Sequence, residues 1–281
     1  QKLETILNKK FKYVPSDIIS DFLDNNNDTK LNSTFVSKEI HKKLIKGIII
    51  NARLSFKVDN ILLFFDLYFL KNELEELLNK LALIIKIYSF FCVSFNKKKN
   101  LNIIIYDLNE KKQFNFTNKN TLNPNNINSG LSSFSNFVES DNFIMIWRKE
   151  EFLKVYIHEI IHYLSLDQNS SYKFSNLKSK ICISKNINIL PNEAITDFLA
   201  INYYLYIKAG YNEILFNKYL KKQIKFMIEQ SSKILIYNNF KSWQEFVSDN
   251  CTNYFRQKNT SVFSYYILKT VMFLNYNRTI E

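Results

Sequence analysis

The chain predicts an α+β fold, mainly helical, with a small mixed sheet. Three observations predict it. Apolar residues recur at helical spacing over most of the length, as in RKEEFLKVYIHEIIHYLSLD and LPNEAITDFLAINYYLYI. Two short runs rich in β-branched and aromatic residues, LNIIIYDL and FIMIW, interrupt that pattern and read as strands. Gly and Pro number only three each, so few turns punctuate the helices.

Taken in order, residues 1–98 read as an N-terminal helical region. Its helices are expected near 16–24, 36–52, 58–70 and 71–94, with an Asn/Asp-rich linker at 24–32. The apolar runs ILLFFDLYFL and LALIIKIYSFFCVSF carry Asp66 and Lys86 and are short for a membrane span, so they read as core segments. Residues 99–281 read as a second region. LNIIIYDL is its first strand, and KKQFNF either ends that strand or forms another. Asn-rich 117–129 is a loop, and 143–147 is a strand followed by the helix that contains HEIIH. A connector, Asn169 to Asn188, leads to a helix that Pro191 opens and Gly210 closes. Residues 212–275 read as further helices.

Composition bounds the function. With 281 residues and 46% hydrophobic content, the chain can bury a full core, which excludes global disorder. The net charge is +12, but lysine is spread along the chain and only Lys97 to Lys99 form a tight run. A basic surface suits nucleic acid or anionic lipid. No nucleic-acid motif accompanies it, and the Asn, Lys, Ile and Phe bias matches an AT-rich genome, so a solvated face is the preferred reading. Cys92, Cys182 and Cys251 are odd in number and widely spaced. They are expected to be reduced thiols of an intracellular, cytoplasmic protein. The opening residues QKLETILNKKFKYV do not have the composition of a signal peptide, although the chain starts at Gln and a leader removed earlier is compatible with that.

The chemistry concentrates in His158, Glu159 and His162. On a helix, positions i and i+4 share a face, so two imidazoles at that spacing can bind one zinc ion through ring nitrogens. The intervening Glu159 is then suited to take a proton from a water held at the ion. The competing reading is a surface helix with two solvated imidazoles. Against it, Phe152, Val155, Tyr156, Ile160, Ile161 and Leu164 give this helix apolar positions on both sides. A catalytic zinc needs three protein ligands and one open position. His41 is the only other histidine, so the third ligand should be a carboxylate, and Glu193 is the best candidate. Asp197 lies one turn beyond it, on the same face, and can accept the free ring N–H of a ligand histidine.

HEIIH followed by NEAITD resembles the gluzincin zinc metallopeptidases, whose pattern is HExxH and then NExxxD on a second helix. The resemblance implies a zincin-like fold in which a small sheet lies over the active-site helix and a C-terminal helical part closes the cleft. It implies one zinc per chain held by His158, His162 and Glu193, with Glu159 as general base and Asp197 supporting His158. Asn192 matches the Asn of the second motif. Asn128, Ser129 and Gly130 precede the FIMIW strand where gluzincins place an edge strand that pairs with substrate backbone. More narrowly, NSG, WRKEEFLKVYIHE and SVFSYYILK resemble a group of predicted zinc peptidases, several of them from large DNA viruses, which implies association with a virion as an alternative location. The resemblance covers about residues 101–275.

Two departures stand out. No Gly-x-Met-Glu-Asn is present, and the downstream transition-state His of the thermolysin type is missing. A tyrosine is expected to replace that His: Tyr265 or Tyr266 first, with Tyr254, Arg256, Tyr203 and Tyr204 as further candidates. The expected partner is a polypeptide substrate. An inactive zincin-like binding protein and a basic nucleic-acid-binding protein with a structural metal are the rival readings; intact Glu159 and an open three-ligand site argue against them.

Overall fold

The computed structural model describes residues 50–58, 61–69, 74–97, 101–106, 109, 111–112, 121–122, 124–133, 143–167 and 175–280. Over these residues the protein is mainly helical with one mixed sheet, an α+β arrangement. It divides into two compact units, Gln1–Lys111 with Asn128–Leu166, and Lys112–Ile127 with Asp167–Glu281.

The described part of the first unit is built on a five-stranded sheet. Strands β1 (Ile50–Val58) and β2 (Ile61–Phe69) form an antiparallel hairpin in which Val58 faces Ile61. Helix α1 (Leu74–Ser94) crosses over to β3 (Leu101–Tyr106), which runs parallel to β2. Next to β3 lies β5 (Phe143–Ile146), also parallel, and the sheet ends at β4 (Gly130–Ser133), antiparallel to β5. A short helix α2 (Pro124–Ile127), which belongs to the second unit, interrupts the loop expected before β4. Helix α3 (Phe152–Tyr163) packs against β4, β5 and α1.

The hairpin corrects the expected helices at 36–52 and 58–70 wherever these fall on described residues. The reason is legible afterwards. Ile50, Ala52, Leu54, Phe56 and Val58 alternate strictly with Asn51, Arg53, Ser55 and Lys57, a period of two that only a strand can place on one face. The run ILLFFDLYF is apolar but for Asp66, as suits a strand with neighbours on both edges. The sheet thus crosses the boundary expected at residue 98, because β2 pairs with β3. The helices expected near 16–24 and over 36–49, and the KKQFNF residues 113–116, lie outside the described residues. The reading of LALIIKIYSFFCVSF as a core segment holds for α1, whose Leu81, Ile84, Ile85, Ile87, Tyr88 and Phe91 are buried. Among the described residues, no helix is long and apolar enough to cross a membrane.

The second unit is helical. It contains α4 (Ser175–Lys178), α5 (Pro191–Lys208), α6 (Glu213–Tyr237), α7 (Trp243–Phe246), a π-helical segment (Phe263–Leu268) that runs into α8 (Lys269–Leu274), and α9 (Tyr276–Ile280). Pro191 occupies the first turn of α5, and Gly210, with φ +58°, follows its C-terminus as expected. One core gathers Phe240, Phe246, Phe255 and Phe263 around Ile181, Ile183, Ile187 and Ile189.

The cysteine expectation is overturned for two of the three. Cys182 and Cys251 form a disulfide, with Cα atoms 5.4 Å apart, and Cys92 is a buried free thiol. Their distance in sequence, 69 residues, hid the pairing. Tertiary contacts create it: Cys182 donates its N–H to the Phe246 carbonyl and accepts from Phe255 N–H, each at 2.8 Å, beside the Ile183–Phe255 bridge.

Candidate metal centre

The histidine residues of the site sit on α3 in the first unit. Glu151, at the start of the helix, takes a left-handed φ of 57° and pairs with Lys154 at 3.0 Å. The far end closes through Ser165 N–H to the His162 carbonyl (2.8 Å) and Leu166 N–H to the Ile161 carbonyl (2.9 Å). Ser165 has φ 54° there, the left-handed C′ position that glycine usually fills. Between these ends the helix is apolar on nearly every side. Phe152, Val155, Tyr156, Ile157, Ile160 and Ile161 are buried, and the Tyr156 hydroxyl donates to the Ile84 carbonyl of α1 at 3.0 Å. Burial pushes that phenol well above its ordinary pKa, so it remains a hydrogen-bond donor.

His158 and Glu159 are buried, 6% and 7% exposed, and His162 is half-buried. The reading of two solvated imidazoles is therefore set aside for His158. The two Nε2 atoms stand 3.0 Å apart, with ring centroids at 4.7 Å and planes at 76°. At this distance one ring can donate its N–H to the bare nitrogen of the other, and the same two nitrogens can turn to a shared cation.

Gly130 opens the edge strand β4 beside Glu159. A Cβ there would come within 2.7 Å of Val155 Cγ1 and 3.2 Å of Glu159 Oε1, so only glycine lets the strand approach the helix this closely. Ser129 is buried, its carbonyl accepting from Trp147 N–H at 3.0 Å, while Asn128 is half-buried.

The carboxylate residues sit on α5 in the second unit. Glu193 lies in its first turn, where the helix dipole favours an anion. The Tyr265 hydroxyl donates to Glu193 Oε2 at 2.7 Å. One turn on, the buried Asp197 pairs with buried Lys269 through Oδ2. Thr196, fully buried between them in sequence, donates to Asp167 Oδ2 at 3.2 Å. Ser264 donates to the Leu190 carbonyl at 2.7 Å and secures the start of α5. Asn192 is half-buried in the same first turn.

Among the tyrosine candidates, Tyr265 reaches Glu193. The Tyr266 ring lies 5.8 Å from the Lys269 ammonium and packs against the unit's core. Tyr254 is 47% exposed and Arg256 is also exposed, whereas Tyr204 packs with Leu220 and Met227. Tyr203 is half-buried, and burial raises its phenol pKa. Sequence reasoning missed Lys269. Its signal was a single lysine within the apolar run SVFSYYILKTVMF.

No known protein-family profile matches the chain, and no solved structure matches it. Over 174 residues the chain is 27% identical to "Uncharacterized protein R210" of Acanthamoeba polyphaga mimivirus. That stretch covers 54% of this chain and 42% of the relative, so the match spans less than half of that protein's length.

Proposed function

We propose that the chain is a zinc-dependent metallopeptidase with a zincin-like fold, related in mechanism to the gluzincins and encoded by a large DNA virus. The observation that carries this reading is the helix α3, where His158 and His162 bring their Nε2 atoms to 3.0 Å beside the buried Glu159; Glu193 of α5 is the third ligand of the proposal. The donor set fits zinc, since two neutral imidazoles and a carboxylate leave a fourth position open. Nitrogens each about 2.0–2.1 Å from one zinc stand roughly 3.3 Å apart at the tetrahedral angle. The 3.0 Å between the two Nε2 atoms is close to that separation. The mimivirus relative supports the viral origin.

When bound, zinc supplies Lewis acidity, lowering the pKa of a water and polarising the scissile carbonyl. The chain's own residues do the rest. Glu159 accepts the proton of the attacking water and delivers it to the departing amine. Its burial on α3 keeps bulk water from competing for that proton. The Tyr265 hydroxyl, which donates to Glu193 in this structure, would turn its one proton to the oxygen that gains negative charge. Glu193, by accepting from Tyr265, orients that phenol within the second unit. Strand β4 ends the sheet among the described residues, and its outer edge aligns an extended peptide by strand addition, with Asn128 to Gly130 leading into it.

Metal analysis and cleavage of an unbiased peptide library test this reading. Purified protein should carry about one zinc per chain. Glu159→Gln should retain the metal and lose about 10²- to 10⁴-fold in turnover. Glu193→Ala should lose most of the metal. Full zinc retention in Glu193→Ala removes Glu193 from the ligand set, and parent activity in Glu159→Gln removes the mechanism.

A further inference from the structure

Lys269 is an unusual residue to find buried. It is 7% exposed, at the junction where the π-helical segment becomes α8. Lysine is almost never buried without a partner, and a buried ion pair is a poor source of net stability, because desolvation of both charges offsets their attraction. A site that keeps one therefore has a use for its geometry.

That geometry is a two-rung ladder. Glu193 and Asp197 lie one turn apart on α5, and Tyr265 and Lys269 lie one turn apart on the facing segment. The Tyr265 hydroxyl meets Glu193 and the Lys269 ammonium meets Asp197. The rungs are held in register from behind. The Tyr266 carbonyl accepts from Ser231 at 2.7 Å and from Thr270 at 2.6 Å, so two hydroxyls serve a carbonyl in the π-helical segment. The Tyr266 ring also lies under the ammonium, 5.8 Å from Nζ to the ring centroid. Without a cation, Glu193 and Asp197 would repel at i,i+4 spacing and turn away from each other.

We propose that Lys269 is a positioning residue for the carboxylates of α5: by pairing with Asp197 it fixes that side chain, and with Tyr265 it holds Glu193 in the orientation that binds a divalent metal. The inference rests on the zinc reading above. It assigns Lys269 no contact with substrate.

The test is metal affinity and ligand-field spectrum, neither of which depends on finding a substrate. Zinc alone is titrated against a chelator, and the visible spectrum of the cobalt(II)-loaded protein is recorded, for the parent, Lys269→Met and Lys269→Arg. The Met variant should bind zinc about 10- to 100-fold more weakly, the range for partners that orient metal ligands, and should shift the cobalt bands. The Arg variant should restore both readouts. If the Met variant does not fold, Lys269→Gln, which removes the charge and shortens the side chain, carries the same comparison. A folded neutral variant with parent zinc affinity and parent cobalt spectrum overturns the proposal and leaves Lys269 a structural residue. If the parent itself binds no zinc or cobalt, the metal reading fails and takes this proposal with it, a result distinct from the previous one.

Discussion

The two units hold their site residues by different physics. In the first, the helix that bears His158 owes its position to apolar packing: α3 lies against the sheet and α1, Gly130 lets β4 approach closely, and one buried phenol pins the helix. In the second, Glu193 and Asp197 owe theirs to polar side chains from a π-helical segment and the start of α8, and a disulfide cross-links the surrounding chain. The difference follows from the groups being held. A neutral imidazole tolerates an apolar wall, whereas an ionised carboxylate taken from water needs donors and a cation nearby. The histidine residues should therefore answer to volume changes, and the carboxylate residues to changes of charge, hydrogen bonding and cross-linking.

The largest expected break of this contrast is in stability. Cys251→Ser opens a bridge between residues 69 apart in sequence. Loop-closure entropy puts the cost at about 4 kcal/mol. Hydrogen exchange should show lost protection around 182–184 and 246–255, with α3 amides unchanged. Equal loss in α3 would mean that the units do not unfold independently.

Next comes Tyr265→Phe, which sharpens the roles within the carboxylate unit. As an oxyanion donor its loss should cost about 10²- to 10³-fold in turnover of the zinc-loaded protein. If zinc affinity falls instead and turnover of the loaded protein does not, Tyr265 only orients Glu193.

The smallest effect is expected at Gly130→Ala. The added methyl meets Val155 Cγ1 at 2.7 Å, so β4 or α3 must shift. Overpacking of this kind costs about 1–3 kcal/mol. Since Glu159 Oε1 is the next contact, at 3.2 Å, turnover should fall more than thermal stability does. Parent turnover would show that the position of Glu159 does not depend on this contact.

Much was legible in the sequence because it is local. The spacing of His158 and His162, the helix opening at Pro191 with Glu193 and Asp197 one turn apart, the strand LNIIIY and the left-handed Gly210 all depend on residues within a few positions of one another. The β1–β2 hairpin was equally local. Its alternation at 50–58 was written in the sequence, but the apolar density of the neighbouring run favoured a helical reading.

What only the tertiary structure decided involves partners far apart in the chain. The disulfide, the strand order β1-β2-β3-β5-β4, the Gly130 contact with Val155 and the pairs Tyr265–Glu193 and Lys269–Asp197 are all of this kind. Each is chosen by the packing of whole elements, because a cysteine or a buried charge accepts any chemically suitable partner that the folded backbone brings within reach. By itself the sequence determined which groups are available for chemistry and on which helical faces they lie. Folding selected their neighbours, and with them the support that a buried carboxylate requires.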